Sequence, residues 1–120
     1  MIRAIVLALG LAIAAPALAA DGPEAVYAKY HRAGLAGDYD AMLKYGTAAN
    51  LPSAERKRLL RVLARLLPRS YSVVEETIEE GGKRALLRLR GAQPQAVLGT
   101  ITLVKERGEW KVDEANWAER

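Results

Sequence analysis

Residues 71–90 read YSVVEETIEEGGKRALLRLR, and apolar side chains recur there with a period of two on both sides of Gly81-Gly82. A glycine pair between two alternating runs is a β-hairpin signal. Setting Glu80 opposite Lys83 places Glu79 against Arg84 and Glu75 against Arg88 on a solvated side, each pair contributing up to about 1 kcal/mol. The other side carries Val74 and Ile78 from the first strand with Ala85, Leu87 and Leu89 from the second, so it faces the core, and Glu76 falls on it too. A second hairpin follows. VLGTITLVKE (97–106) turns at Arg107-Gly108 into EWKVDE (109–114); with Leu103 opposite Val112, residues Ile101, Trp110 and Val112 point inward and Thr100, Thr102 and Val104 outward.

Upstream of Ser70 the period is helical. Pro23 fits a first helical turn, Val26, Tyr30 and Ala33 share a face with Tyr27 beside them, and Gly34 and Gly37 are expected to end the helix. Asp38 caps a short second helix carrying Tyr39, Met42 and Leu43, which Gly46 stops. A third helix follows Leu51-Pro52-Ser53. Its Leu59, Leu60, Leu63, Leu66 and Leu67 form one apolar stripe centred on Leu63, with Lys57, Arg58, Arg61 and Arg65 opposite, and Pro68 closes it. Helices followed by strands make an α+β domain, here three N-terminal helices packed on one face of a four-stranded antiparallel sheet. Leu63→Ala is then expected to cost about 2–5 kcal/mol.

The first twenty residues, MIRAIVLALGLAIAAPALAA, read as a secretory signal peptide: Arg3 gives the positive start, Ala4 to Ala15 the apolar run, and Ala17-Leu18-Ala19 the small-x-small cleavage pattern. The reading is a signal peptide over residues 1–19, a domain over residues 20–120, and an exported, periplasmic or secreted protein. With no cysteine near the junction it is not a lipoprotein. The absence of cysteine from the whole chain rules out disulfides, thiol catalysis and thiolate metal sites. Losing Arg3 lowers the basic count from 18 to 17 against 14 acids, so the net charge falls from +4 to +3. That balance speaks against nucleic acid as a partner.

AVYAKYHRAGLAGDYDAMLKYG (25–46) resembles the junction of the first two helices in small exported bacterial members of the nuclear-transport-factor-2-like superfamily, also called SnoaL-like or cystatin-like. TLVKERGEWKVDEANW (102–117) resembles their last hairpin. The likeness spans about Pro23 to Trp117. It implies a strongly curved sheet wrapped against helices to form a cone with an internal pocket, in a superfamily that contains isomerases, dehydratases, ligand carriers and domains of unknown function.

Most catalytic constellations are missing from the sequence. His31 is the one histidine, no serine stands in a Gly-x-Ser-x-Gly turn, no glycine-rich phosphate loop appears, and no cofactor motif is present. Asp38-Tyr39-Asp40 lacks the remaining ligands of a calcium loop, so Asp38 is read as a cap and no metal site is assigned. Glu76, an inward carboxylate among apolar residues, must be neutralised, paired or open to a wet cavity. Arg56, on the leucine side of the third helix, is its expected partner. Tyr27, Tyr30 and Trp110 are candidates to line the pocket with this pair, and His31 is read as a packing residue or a proton carrier.

Three functions follow from these residues. The first is a non-catalytic exported binding module that holds a small apolar or amphiphilic ligand in the cone or docks an envelope protein. The second, which the resemblance implies, is a pocket enzyme of isomerase or dehydratase type, with Glu76, Tyr30 and His31 the candidates for its acid and base roles. The third is an anionic lipid or envelope-surface binder acting through Lys57, Arg58, Arg61 and Arg65. Tyr71, Val73, Leu86, Thr102 and Val104 are expected to form a patch on the outer sheet face, and the resemblance implies a homodimer through such a surface.

Overall fold

The computed structural model describes residues 21–47, 52–92 and 96–119, so the leader read at residues 1–19 and Leu51 lie outside the described residues. Chain order is α1 (Pro23–Ala36), α2 (Tyr39–Tyr45), α3 (Ser53–Ala64), β1 (Tyr71–Glu79), β2 (Arg84–Gly91), β3 (Val97–Glu106) and β4 (Glu109–Glu119). Pro23 opens α1, and its last turn closes with the Asp38 N–H on the Ala33 carbonyl at 2.9 Å. Gly34 lies inside α1 rather than at its end. A Cβ there would meet Leu67 Cδ1 at 2.6 Å, so the residue marks a close approach to the segment after α3. Asp38 caps α2 by accepting from the Ala41 N–H at 3.1 Å, as its position before Tyr39 predicts.

The four strands pair consecutively and antiparallel in the order β1-β2-β3-β4. Glu75 lies opposite Arg88, Glu79 opposite Arg84 and Leu103 opposite Val112, the registers read from the two turns. The Arg88 guanidinium donates to Glu75 at 2.9 Å and Arg84 stands 3.7 Å from Glu79. Gly81 and Gly82 take φ values of 66° and 87°, which side-chain-bearing residues adopt only with strain. The reversal is wider than two residues, because the Lys83 N–H reaches back to the Glu79 carbonyl at 3.2 Å.

Two bulges redistribute the side chains. One interrupts the pairing between Val73 and Glu75, and the other leaves Asp113 without a partner between Val112 and Glu114. Since side chains alternate, an extra residue exchanges the faces on either side of it. Tyr71 and Val73 therefore stand on the inner face, opposite Gly91 and Leu89, and the expected outward set of Tyr71, Val73, Leu86, Thr102 and Val104 does not share one face. Thr102, flanked by Leu86 and Glu114, is buried even on the outer side. Val74 is the bulged residue itself, and Ile78 sits on an inner row beyond the reach of the helices, so both are half-exposed instead of buried.

The core gathers Val26, Tyr27, Tyr30 and Ala33 of α1 and Met42 of α2 against Ala85, Leu87, Leu89, Ile101, Leu103, Trp110 and Val112. Trp117 lays its ring on Gly99, where a Cβ would come within 2.6 Å of the indole. Tyr71 on β1 and Trp117 on β4 reach each other across the curved sheet, ring centroids 6.5 Å apart. These rings fill the inner face at the end where β1 and β4 approach each other. Helix α3 rests on α2 and α1, touches the core through Leu60, and contains no fully buried residue. The expected leucine stripe is buried only along one edge: Leu67 is buried beside Gly34 and Leu60 is partly buried against the core, whereas Leu59, Leu63 and Leu66 are 53 %, 41 % and 60 % exposed.

Candidate functional site

Because α3 stands off the sheet, a cleft of about 320 Å³ opens between α2, α3 and the Val112–Asn116 stretch of β4. Its apolar wall is built from Met42 and Leu43 on one side and Leu59, Leu60 and Leu63 on the other, with Val112 and Ala115 beneath. Polar groups stand at the rim around one connecting residue, Thr47. The Thr47 N–H donates to the Val112 carbonyl at 2.9 Å, its hydroxyl donates to Asp113 at 3.3 Å, and its carbonyl accepts from Arg56 Nη2 at 2.8 Å. The stretch after α2 is thereby tied to β4, and the first turn of α3 is tied to that stretch. The bulge is what makes Asp113 available to Thr47 in this position. Glu114, Asn116 and Tyr30 complete the polar lining. Burial pushes the Tyr30 phenol above its ordinary value of 10.0, so it faces the cleft as a neutral hydroxyl.

Of the residues singled out from sequence, Arg56 and Tyr30 line this cleft. Glu76 does not, and it makes no pair with Arg56, whose guanidinium is engaged by Thr47. Glu76 is on the inner row opposite Leu87, beside Glu24 in the first turn of α1, yet its side chain is exposed. Partial burial first, and then the neighbouring carboxylate of Glu24, raise its carboxyl above the ordinary 4.5. Tyr27 and His31 are core residues. The Tyr27 hydroxyl donates to His31 Nδ1 at 2.8 Å, and His31 Nε2 donates to the Pro68 carbonyl at 2.7 Å. This network fixes the imidazole as the Nε2–H tautomer. Burial lowers the His31 pKa below 6.5, against the opposing pull of the Pro68 carbonyl. The Trp117 indole N–H, close to the Tyr27 hydroxyl, is buried with no hydrogen-bond partner among the described residues.

Trp110 borders a separate depression of about 240 Å³ together with Lys29, Lys44, Tyr45 and Lys111. Glu76, Tyr30 and His31 are therefore spread over an exposed edge, a cleft wall and a core network, and they form no common acid–base site. The four basic residues read as one face of the third helix also separate: Lys57 pairs with Asp40 at 3.0 Å, Arg61 stacks 5.5 Å over the Tyr39 ring, and Arg58 and Arg65, the latter just past the end of α3, are exposed with no ion pair among the described residues. Sequence reading missed Thr47, Asp113 and Asn116. The available signal was the run Asp113-Glu114-Ala115-Asn116, where the alternation of Trp110-Lys111-Val112 breaks.

No protein-family model matches the sequence, and no curated protein matches it closely. Solved structures are similar in fold. A Campylobacter jejuni protein provisionally named an NTF2-like transpeptidase superposes with a TM-score of 0.61 at 15 % identity, over 78 % of this chain and 99 % of that one. A SEC-C-motif protein from Rhodopseudomonas palustris gives 0.58 at 19 % identity, over 78 % and 77 % of the two chains. A designed NTF2-like protein gives 0.56 at 12 % identity, over 79 % and 95 %. With three helices, a curved four-stranded sheet and a cleft under the last helix, the chain has the nuclear-transport-factor-2-like fold.

Proposed function

We propose that this protein is an exported, non-catalytic binding module that holds a small single-tailed amphiphile in the cleft under α3. The observation that carries the reading is the cleft's division into an apolar wall and a polar rim. Its volume is near the lower end of the roughly 300–1,000 Å³ of ligand pockets, which suits one short chain or a small ring system rather than a two-tailed lipid. The rim chemistry narrows the head group. Arg56 contributes one positive charge, and Asp113 and Glu114 two negative ones, so an anionic head is disfavoured. A neutral or zwitterionic head bonding to Asn116, Thr47 and Tyr30 fits.

Native mass spectrometry of the exported protein tests this. The expected result is a chain beginning at Ala20 that retains a small molecule and releases it on denaturation. A fluorescent monoacylglycerol should bind the stripped protein, and Leu63→Trp, which fills the cleft from an exposed position, should abolish binding without lowering stability. A bare chain that also ignores the probe overturns the proposal.

A further inference from the structure

We propose that α3 docks in the plane of an anionic lipid surface through its free stripe of Leu59, Val62 and Leu66, seating the mouth of the cleft on that surface. At 100° per residue, Val62, Leu66, Leu59 and Leu63 occupy one continuous arc of the helix and of the turn that extends it, and all four are 41–60 % exposed. Arg58, Arg61 and Arg65 border that arc on one side, and Arg56 borders it on the other. An apolar band edged by guanidinium groups is the profile of a helix that lies at the boundary of head groups and acyl chains. Lys57 is turned to Asp40 and Arg61 lies over the Tyr39 ring, so the lipid-facing cations are Arg58 and Arg65.

Charge selects the occupant. Ser53 to Arg69 holds six cations, Arg56, Lys57, Arg58, Arg61, Arg65 and Arg69, against the single acid Glu55. Only Lys57 of the six is ion-paired among the described residues; Arg56 is held by the Thr47 carbonyl and Arg61 by the Tyr39 ring, which leaves Arg58, Arg65 and Arg69 without such a partner there. A second copy would bring these arginines face to face, whereas a negatively charged surface neutralises them while the leucines enter the acyl boundary. Leu59 and Leu63 belong both to the free arc and to the cleft wall. Docking therefore opens the cleft toward the phase in which an amphiphile dissolves. In this respect the inference rests on the amphiphile reading; the docking itself does not.

Co-sedimentation of the purified protein with phosphatidylcholine vesicles, with and without about 30 % phosphatidylglycerol, tests the docking. Binding is expected with the anionic vesicles only, and it should fall steeply between about 50 mM and about 500 mM salt. The double variant Arg58→Glu/Arg65→Glu should weaken it roughly 30-fold or more, and Val62→Asn/Leu66→Asn should weaken it comparably. All four side chains are exposed, so the melting temperature should hold. Arg58 and Arg65 do not line the cleft, so both double-charge variant and parent should bind the monoacylglycerol probe alike in solution. Retained probe binding with no vesicle binding sinks the docking alone; the reverse sinks the cleft reading alone. Equal binding to neutral vesicles overturns the proposal, as does binding of a soluble acidic polypeptide but no vesicle.

Discussion

Leu63→Ala and Leu87→Ala, compared in the same chain, decide whether α3 belongs to the core. Leu87 has no exposed surface and Leu63 is 41 % exposed. Truncating a fully buried leucine costs about 2–5 kcal/mol, because lost transfer energy is joined by the energy of the cavity left behind. At Leu63 there is no new cavity. Its removal widens a cleft already open to water, so only the transfer part remains, about three-fifths of the roughly 1.5–3 kcal/mol of a fully buried leucine, and alanine keeps one of the carbons. Alanine's higher helix propensity offsets a few tenths more. The expected cost is about 1 kcal/mol for Leu63→Ala and at least twice that for Leu87→Ala. Urea denaturation at 25 °C, read as the shift in midpoint at constant slope, measures both. If Leu63→Ala costs as much as Leu87→Ala, α3 is sunk against the sheet in solution, the cleft is closed, and the function proposed from it fails.

Three further outcomes are expected. Tyr27→Phe removes the donor to His31 Nδ1 and leaves a buried acceptor unpaired, a loss of about 1–3 kcal/mol in the same denaturation assay. His31 makes stability depend on pH: its folded pKa lies below 6.5, so the unfolded chain takes up the proton first. Stability is then complete above pH 6.5 and falls as pH drops from there toward the lowered folded value. His31→Gln, measured across that window, should remove this part of the slope; an unchanged slope would refute the assignment. Gly99→Ala forces a methyl into the Trp117 ring and should cost about 1–3 kcal/mol, with a change in near-ultraviolet circular dichroism that Gly22→Ala, in open space and at a negative φ, does not produce.

The sheet was legible because its information is local. A glycine pair, an Arg-Gly turn and opposite charges at matched offsets define both hairpins without reference to the helices. The placement of α3 was not legible, because a five-leucine stripe reads the same whether it meets a sheet or water. What decides is the volume already present on the sheet, and Tyr27, Tyr30, His31, Tyr71, Trp110 and Trp117 sum to more than residue-by-residue reading reveals. The bulges hid the rest. Val73-Val74 gives no sign that one of the pair will be squeezed out of register, and on that slip depends whether Tyr71 joins the core or the outer face. Asp113 is a similar case, since its access to Thr47 exists only because the alternation fails at that residue. Arg56 was found for a partly correct reason: it does lie on the leucine side of its helix, but the group that receives it is a backbone carbonyl nine residues earlier, not a carboxylate on a distant strand.

Crowding at one end of the inner face has a consequence at the other. Tyr71, Trp117, Tyr27 and His31 stack with centroid separations of 4.7–6.5 Å, and Gly99 gives the Trp117 ring its space. That stack closes the sheet where β1 and β4 approach each other. Any enclosed space must then lie toward the bulge in β4, under a helix that the stack itself keeps from descending. Opening the stack should therefore let α3 settle. In Trp117→Ala the space beside Tyr30, Met42 and Leu63, which Trp117 already borders, becomes available to the leucines of α3. The expected result is loss of the monoacylglycerol site together with increased protection of Leu59 and Leu63 amides in hydrogen exchange. Destabilisation with a fully retained cleft would mean that the aromatic stack and the position of α3 are independent.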